Sequence, residues 1–173
     1  MILEHPIVDS VLSKYARELG DSAAKYRNHV MRSLNYYALL TAAPVPDDVA
    51  LAWAVHDLGI WTAGTWDYIA PSAALATELA PGLGIDDSGR AESMVIGHHR
   101  VVPFSDPEHE AFRRADLIDF SHGILRLGVG PKDLAETVKA FPYLGFHRFL
   151  ARNLTGYALK HPLRPFPMMR LRT

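Results

Sequence analysis

The chain has 173 residues, 49% hydrophobic and 21% charged, with a formal net charge of −1. This is enough for one well-packed domain and short for two, and the near-neutral balance gives no global field to attract a nucleic acid polymer or an anionic membrane surface. There is no cysteine among the 173 residues but there are nine histidines, so disulfides, zinc–thiolate sites and a cysteine nucleophile are excluded and any metal must be bound by imidazole and carboxylate.

The apolar periodicity is helical nearly throughout. A first helix is expected from Ile7 to Leu19, ending at Gly20. Asp21 or Ser22 then caps a second, on which Tyr26, His29, Val30, Ser33, Leu34 and Tyr37 form the i, i+3, i+4, i+7 stripe of one buried face. The run Pro44-Val45-Pro46-Asp47 breaks the chain, with Asp47 as N-cap of a third helix. That helix carries Val49, Ala52, Trp53 and His56 on one face and stops at Gly59, read as a C′ glycine. An aromatic loop runs from Ile60 to Ala70, and a short helix from Pro71 to Ala80. After the Pro81–Gly84 turn, Asp87 or Ser88 caps a helix reaching His98. A long helix is expected from Glu108 to Leu127, ended by Gly128-Val129-Gly130-Pro131, then helices over Lys132–Ala140 and Phe146–Lys160. The expected organisation is an all-α single domain over residues 1–160 with an extended tail over 161–173.

His29, His56, Asp57 and Asp116 come from three of these helices, each on or beside the inward face. Polar groups converging inside a bundle are destabilising without a shared partner. One divalent cation satisfies two imidazoles and two carboxylates at once, and zinc, manganese, iron, cobalt, nickel and magnesium all remain open as its identity. His56-Asp57 also sits at a helix C-terminus, whose partial negative charge favours a cation.

The order His29, His56-Asp57, Asp116, with His-Asp-Leu-Gly ending a helix and the Asp inside Arg114-Ala115-Asp116-Leu117-Ile118-Asp119, resembles the HD domain superfamily of metal-dependent phosphohydrolases. The resemblance spans Tyr26 to Phe120. It implies a helical bundle around one or two metals, and for activity mostly phosphoester hydrolysis through a metal-activated water. Relatives of the cyanamide-hydratase type instead hydrate small nitriles, and others use two irons as oxygenases, so the fold does not choose the reaction. In dinuclear relatives a further His or Glu follows the HD pair by twenty to thirty residues. No His lies between Asp57 and His98 here, and Glu78 is the one glutamate twenty to thirty residues after the pair, which favours one metal over two.

Under this reading His98, Asp57 and Asp119 are the candidate catalytic groups: His98 shuttles a proton and Asp119 orients a ligand or the water. Arg32, Arg100, Trp61, Trp66 and His99 are candidate substrate-binding residues, the arginines for phosphate oxygens and the aromatics for the pocket rim. Arg113 and Asp67 are weaker candidates, His122 reads as structural, and His109 as a surface residue near a cap. The leading function is hydrolysis of a small phosphorylated compound. The alternatives are hydration or hydrolysis of a small uncharged molecule, diiron oxygenation, and a non-catalytic fold. A tight aromatic pocket without convergent arginines would favour the uncharged molecule. The expected partner is a small-molecule substrate, with no nucleic acid polymer and no membrane. The Pro162–Arg172 tail either docks on a second copy, making a homo-oligomer, or closes its own pocket. No basic-then-apolar leader opens the chain and no apolar run approaches the roughly 18 residues of a membrane span, so a cytoplasmic location is the expectation.

Overall fold

Helix α4 (Asp47–Val55) occupies the centre of the molecule, and its sequence explains why: Val49-Ala50-Leu51-Ala52-Trp53-Ala54-Val55 is apolar on every side, and all seven residues are buried. A helix that is hydrophobic all round has to be enclosed, so the one-sided face expected for it is a full jacket. The structure, a computed structural model, describes residues 1–169 and contains no strand among them. The jacket is made by α1 (Pro6–Lys14), α3 (Ala23–Thr41), α6 (Ile69–Leu79) and α7 (Gly89–Gly97). α2 (Ala16–Leu19) links α1 to α3, α5 (Gly59–Thr62) follows the His56-Asp57 turn, and α8 (Pro107–Phe120) lies along α3. α9 (Pro131–Ala140) and α10 (Phe146–Lys160) complete the outer layer against α3. The all-α architecture expected from periodicity is therefore the observed one. No helix among the described residues is long and apolar enough to cross a membrane.

Several boundaries differ from the sequence reading, each for a local reason. A 3-10 turn over Gly20–Ser22 leads into α3, and neither Asp21 nor Ser22 caps it with its side chain. Pro46 holds the N-cap position of α4, leaving Asp47 and Asp48 in the first turn, where their charge suits the helix dipole. The helix expected to reach Leu127 stops at Phe120. There the chain turns left-handed at His122 (φ 55°) and Gly123 (φ 73°). The Gly123 N–H bonds Ile118 O at 2.8 Å and the His122 N–H bonds Asp119 O at 2.9 Å, the paired bonds of a Schellman C-cap. The N-cap of α8 is Asp106, which accepts from the His109 N–H at 2.9 Å. The described part of the tail, 161–169, is a series of turns rather than extended chain; residues 170–173 of that expected extended segment lie outside the described residues.

Gly59 is not a left-handed C′ glycine. It opens α5, and a Cβ built on it would lie 2.6 Å from the Tyr68 carbonyl oxygen and 2.8 Å from Ser72 Oγ. Its N–H donates to Ser72 Oγ at 2.9 Å. The glycine lets the start of α6 press against the turn that carries His56 and Asp57. Gly59→Ala should therefore lower unfolding free energy by about 1–3 kcal/mol, the range for overpacking. Gly82→Ala, with nothing within 4 Å of its Cβ, should change it by less than about 0.5 kcal/mol. Urea unfolding of the two variants makes the comparison.

Candidate metal centre

Two histidines reach the centre by one local device. His56 and His98 each hold the C-cap position of their helix, α4 and α7. Each folds its ring back so that Nδ1–H donates to the carbonyl three residues earlier: His56 to Trp53 at 2.8 Å, His98 to Val95 at 2.6 Å. This fixes the tautomer and points Nε2 off the end of the helix, the arrangement that prepares an imidazole for a metal. Tyr26 clamps the turn that carries His56, donating to Ala54 O at 3.1 Å and accepting from the Asp57 N–H at 3.3 Å.

His29 is held differently. Its Nδ1–H donates to Asp119 Oδ2 at 2.6 Å, while Arg32 grips the same carboxylate through Nε (2.5 Å to Oδ1) and Nη2 (2.9 Å to Oδ2). The His29 ring lies on Phe146, with centroids 4.4 Å apart and an interplanar angle of 19°. Its Nε2 is 2.9 Å from His56 Nε2, 3.6 Å from Asp57 Oδ2 and 3.6 Å from Asp116 Oδ1. His56 Nε2 is 3.4 Å from Asp57 Oδ2 and 3.8 Å from Asp116 Oδ1. Ligands placed about 2.0–2.2 Å from one ion stand about 3–3.5 Å apart; of the four expected ligands His29, His56 and Asp57 are grouped closely enough to hold one, and Asp116 Oδ1 lies beside them, 3.6 and 3.8 Å from the two imidazole nitrogens.

Two buried atoms in this cluster have no hydrogen-bond partner, Asp57 Oδ1 and His98 Nε2, 3.5 Å from each other. Orphaned polar atoms that face each other inside a protein are expensive, and a cation with its water relieves both. His29, His56 and Asp57 form one trio able to hold an ion; Asp57, His98 and His99 form another. The two trios share Asp57, so a second ion has donors available beside the first, although the sequence favoured one.

Charge is arranged to match. Burial lowers the His56 pKa to about 3 despite the neighbouring Asp57, which keeps the ring neutral. Burial also acts to lower His29, but its hydrogen bonds to Asp119 and Asp57 outweigh this and hold it at about 9. Burial opposes ionisation of Asp119, yet Arg32 and His29 bring it down to about 2. Burial raises Asp116 to about 6 against the pull of His98 and His29. With Arg32 and Asp119 neutralising each other, Asp57 and Asp116 remain as the two charges to balance a divalent ion.

Comparison of the chain with family models, with curated proteins and with solved structures gives no match.

A cavity of about 370 Å³ opens from the cluster, with His29, Asp57, His98 and Asp116 at its inner end. Of the other expected site residues, Trp66, His99, Arg100 and Arg113 line it. Arg32 does not: its guanidinium is fully buried behind His29 and saturated by Asp119 and by Phe141 O at 2.9 Å, so it cannot bind substrate. Asp119 is likewise behind His29 and fully buried, which makes it a positioning group rather than a catalytic one. Trp61 belongs to α5 and stacks on Phe149 at 5.6 Å, outside the cavity lining. Arg113 is held by Glu110 at 2.8 and 2.7 Å, and Asp67 pairs with Arg164 at 3.1 Å. His122 sits in the left-handed cap with its ring 3.7 Å from that of His147.

Sequence reasoning put Tyr68 in the aromatic rim loop but missed its role: it is buried in the cavity wall with its hydroxyl hydrogen-bonded to His99 Nε2 at 2.8 Å. It also missed Phe146 under His29. The available signals were Tyr68 as the sole tyrosine of the 60–70 loop and the apolar stripe that Phe146 begins.

Asp119→Asn should weaken divalent-metal affinity about 10–100-fold, as loss of a ligand's orienting partner does elsewhere; competition with a chromophoric chelator reads it. Asp119 lies below its ordinary 3.8 in the folded state. Its stabilising contribution is thus complete above that value and is lost as pH falls towards about 2, and the variant should lack this acid dependence in urea unfolding of the metal-free protein. Because His29 holds a proton up to about pH 9 in the metal-free site, ion uptake near neutrality should release it and tighten as pH rises towards that value. Calorimetry in buffers of different ionisation enthalpy measures the protons released.

Proposed function

We propose that this chain is an HD-type metal-dependent hydrolase or hydratase that adds water to a small substrate of low charge. The observation that carries the reading is the pair of orphaned atoms, Asp57 Oδ1 and His98 Nε2, facing each other beside three other converging donors. A divalent ion bound by His29, His56, Asp57 and Asp116 would act as a Lewis acid and make a coordinated water acidic enough to lose a proton near neutrality. The protein's own groups supply the rest. His98, with Nδ1 tied to Val95, exchanges protons only at Nε2, next to Asp57. Its ring lies 4.1 Å from that of His99, whose Nε2 meets Tyr68, giving a polar edge leading away from the centre. Asp119 holds His29 in register throughout and takes no part in proton exchange with substrate.

The low charge of the substrate follows from the arginines. Arg32 is consumed by Asp119 and Arg113 by Glu110, leaving no convergent guanidinium cluster for a phosphoryl group among the described residues. One observation favours the phosphomonoester reading: Arg100 lines the cavity, stacked over Phe104 at 4.7 Å, with no acidic partner among the described residues.

Elemental analysis of the purified protein should find stoichiometric divalent metal, which His56→Ala and Asp57→Ala lose. His98→Gln should keep its metal and lose about 10²–10⁴ in turnover, the usual contribution of general acid–base catalysis. Turnover is sought in parallel panels of small nitriles and amides and of phosphomonoesters. Wild-type protein without metal, or equal metal in the His56 and Asp57 variants, overturns the proposal. Hydrolysis confined to the phosphomonoesters, and lost in Arg100→Ala, replaces the low-charge substrate with a phosphorylated one.

A further inference from the structure

The cavity is larger than a small polar substrate needs, and the excess is apolar. Its 370 Å³ is about a dozen waters' share of liquid volume, inside the size range of pockets that enclose drug-sized ligands. The metal-site groups gather at the inner end, and apart from Arg100 and Arg113 the wall beyond them is largely hydrocarbon. Phe146, Leu150 and Leu154 occupy i, i+4 and i+8 of α10 and form one row along the cavity. The row starts at the metal centre, where Phe146 lies on His29, and at 1.5 Å per residue it extends about 12 Å away. Leu117 and Phe120 of α8 add to the same wall. The far end is covered by the chain's own tail: Met168 is buried against Tyr68 and Ile69, with Leu154 packed on the same cluster. Phe166 and Met169, each about half exposed, line the outer edge. Methionines make an adaptable wall.

We propose that the substrate carries an apolar body, a hydrocarbon chain of about eight carbons or a ring system of similar length, seated along Phe146, Leu150 and Leu154 with its reacting group at the His29–Asp57 end. This rests on the reading of that end as a metal centre and extends it to the substrate's unreactive part. A substrate of three or four heavy atoms would leave most of the slot unfilled and its wall exposed to water. A body that fills it gains binding for each methylene removed from water.

The probe is a series of straight-chain alkyl hydroxamic acids, from acetohydroxamic acid to the ten-carbon member, titrated by calorimetry into protein as purified and into protein stripped with a chelator. The head group reads the metal and the chain reads the slot. In purified protein affinity should rise about threefold to fourfold per methylene and level off near eight carbons. In stripped protein every member should bind more weakly, but the increment per methylene should persist, because the slot contains no metal ligand beyond its inner end. Leu154→Trp, which fills the far end, should move the plateau to a shorter chain while acetohydroxamic acid binds as before. Its melting transition checks folding, and the wild-type series decides alone if that transition is lost. A flat series in wild-type protein overturns the slot, as does an unchanged plateau in a folded Leu154→Trp. A per-methylene increment with no effect of the chelator supports the slot and counts against the metal reading.

Discussion

The Asp119 carboxylate is wholly buried, and an unpaired charge there would cost several kcal/mol. Both of its oxygens are therefore used, Oδ2 by His29 and Arg32 and Oδ1 by Arg32. The match is a matter of helix spacing. His29 and Arg32 are three residues apart on α3, Asp116 and Asp119 three apart on α8, so each pair occupies one face of its helix. Laying the two helices together makes Asp119 the back support of His29 and leaves Asp116 in front of it. Arg32 then carries the clasp onward to the carbonyls of Phe141 and Pro142, at 2.9 and 3.3 Å. Those residues precede α10, and Phe146, at the start of α10, comes down on the His29 ring. One buried ion pair thus orients an imidazole of the candidate centre, joins α3 to α8, and sets the helix that walls the cavity.

The remaining inward groups are placed by helix ends rather than helix faces. A residue at the C-cap has a neighbouring carbonyl that the helix leaves free, and both His56 and His98 use it to satisfy Nδ1. The same ends carry partial negative charge, so two helices present an imidazole nitrogen and a cation-favouring dipole at one point. Gly59 and Tyr26 hold that point in place: the glycine admits the start of α6, and the tyrosine bridges Ala54 and Asp57. Removing a group from this set disturbs the geometry of the rest, because every inward nitrogen depends on a bond made on its other side.

This division explains what could be read from the chain alone. His29 and Asp116 lie on amphipathic helices, where a period of 3.6 declares the inward face, and His56-Asp57 is marked by its place after an apolar run. His98 was legible for the same reason through Ala91, Met94 and Val95. Arg32 and Trp61 were misplaced because residue type does not reveal what a side chain meets across the fold. Arg32 meets Asp119, 87 residues further along the chain, and Trp61 is drawn to Phe149 of α10. The end of α8 was misjudged because a histidine supplies the left-handed residue usually supplied by glycine, at His122. Tyr68, His99 and the tail come together only through long-range packing, which leaves no periodic trace.

Charge around the cavity is cancelled locally at almost every point. Arg32 answers Asp119, Arg113 answers Glu110 and Arg164 answers Asp67, while a divalent ion would answer Asp57 and Asp116. What remains facing the cavity is a centre of little net charge with sharp local polarity, set at the end of a hydrocarbon slot. Such a centre polarises a bond placed directly against it, and in a low-dielectric surrounding that polarisation is strong. It has little long-range pull on an anion, since among the described residues only Arg100 faces the space with an unbalanced charge. Retention of the substrate must then come from the wall, through area removed from water, and its orientation from the donors at the inner end. A molecule that is apolar along most of its length and polar at one tip meets both conditions at once.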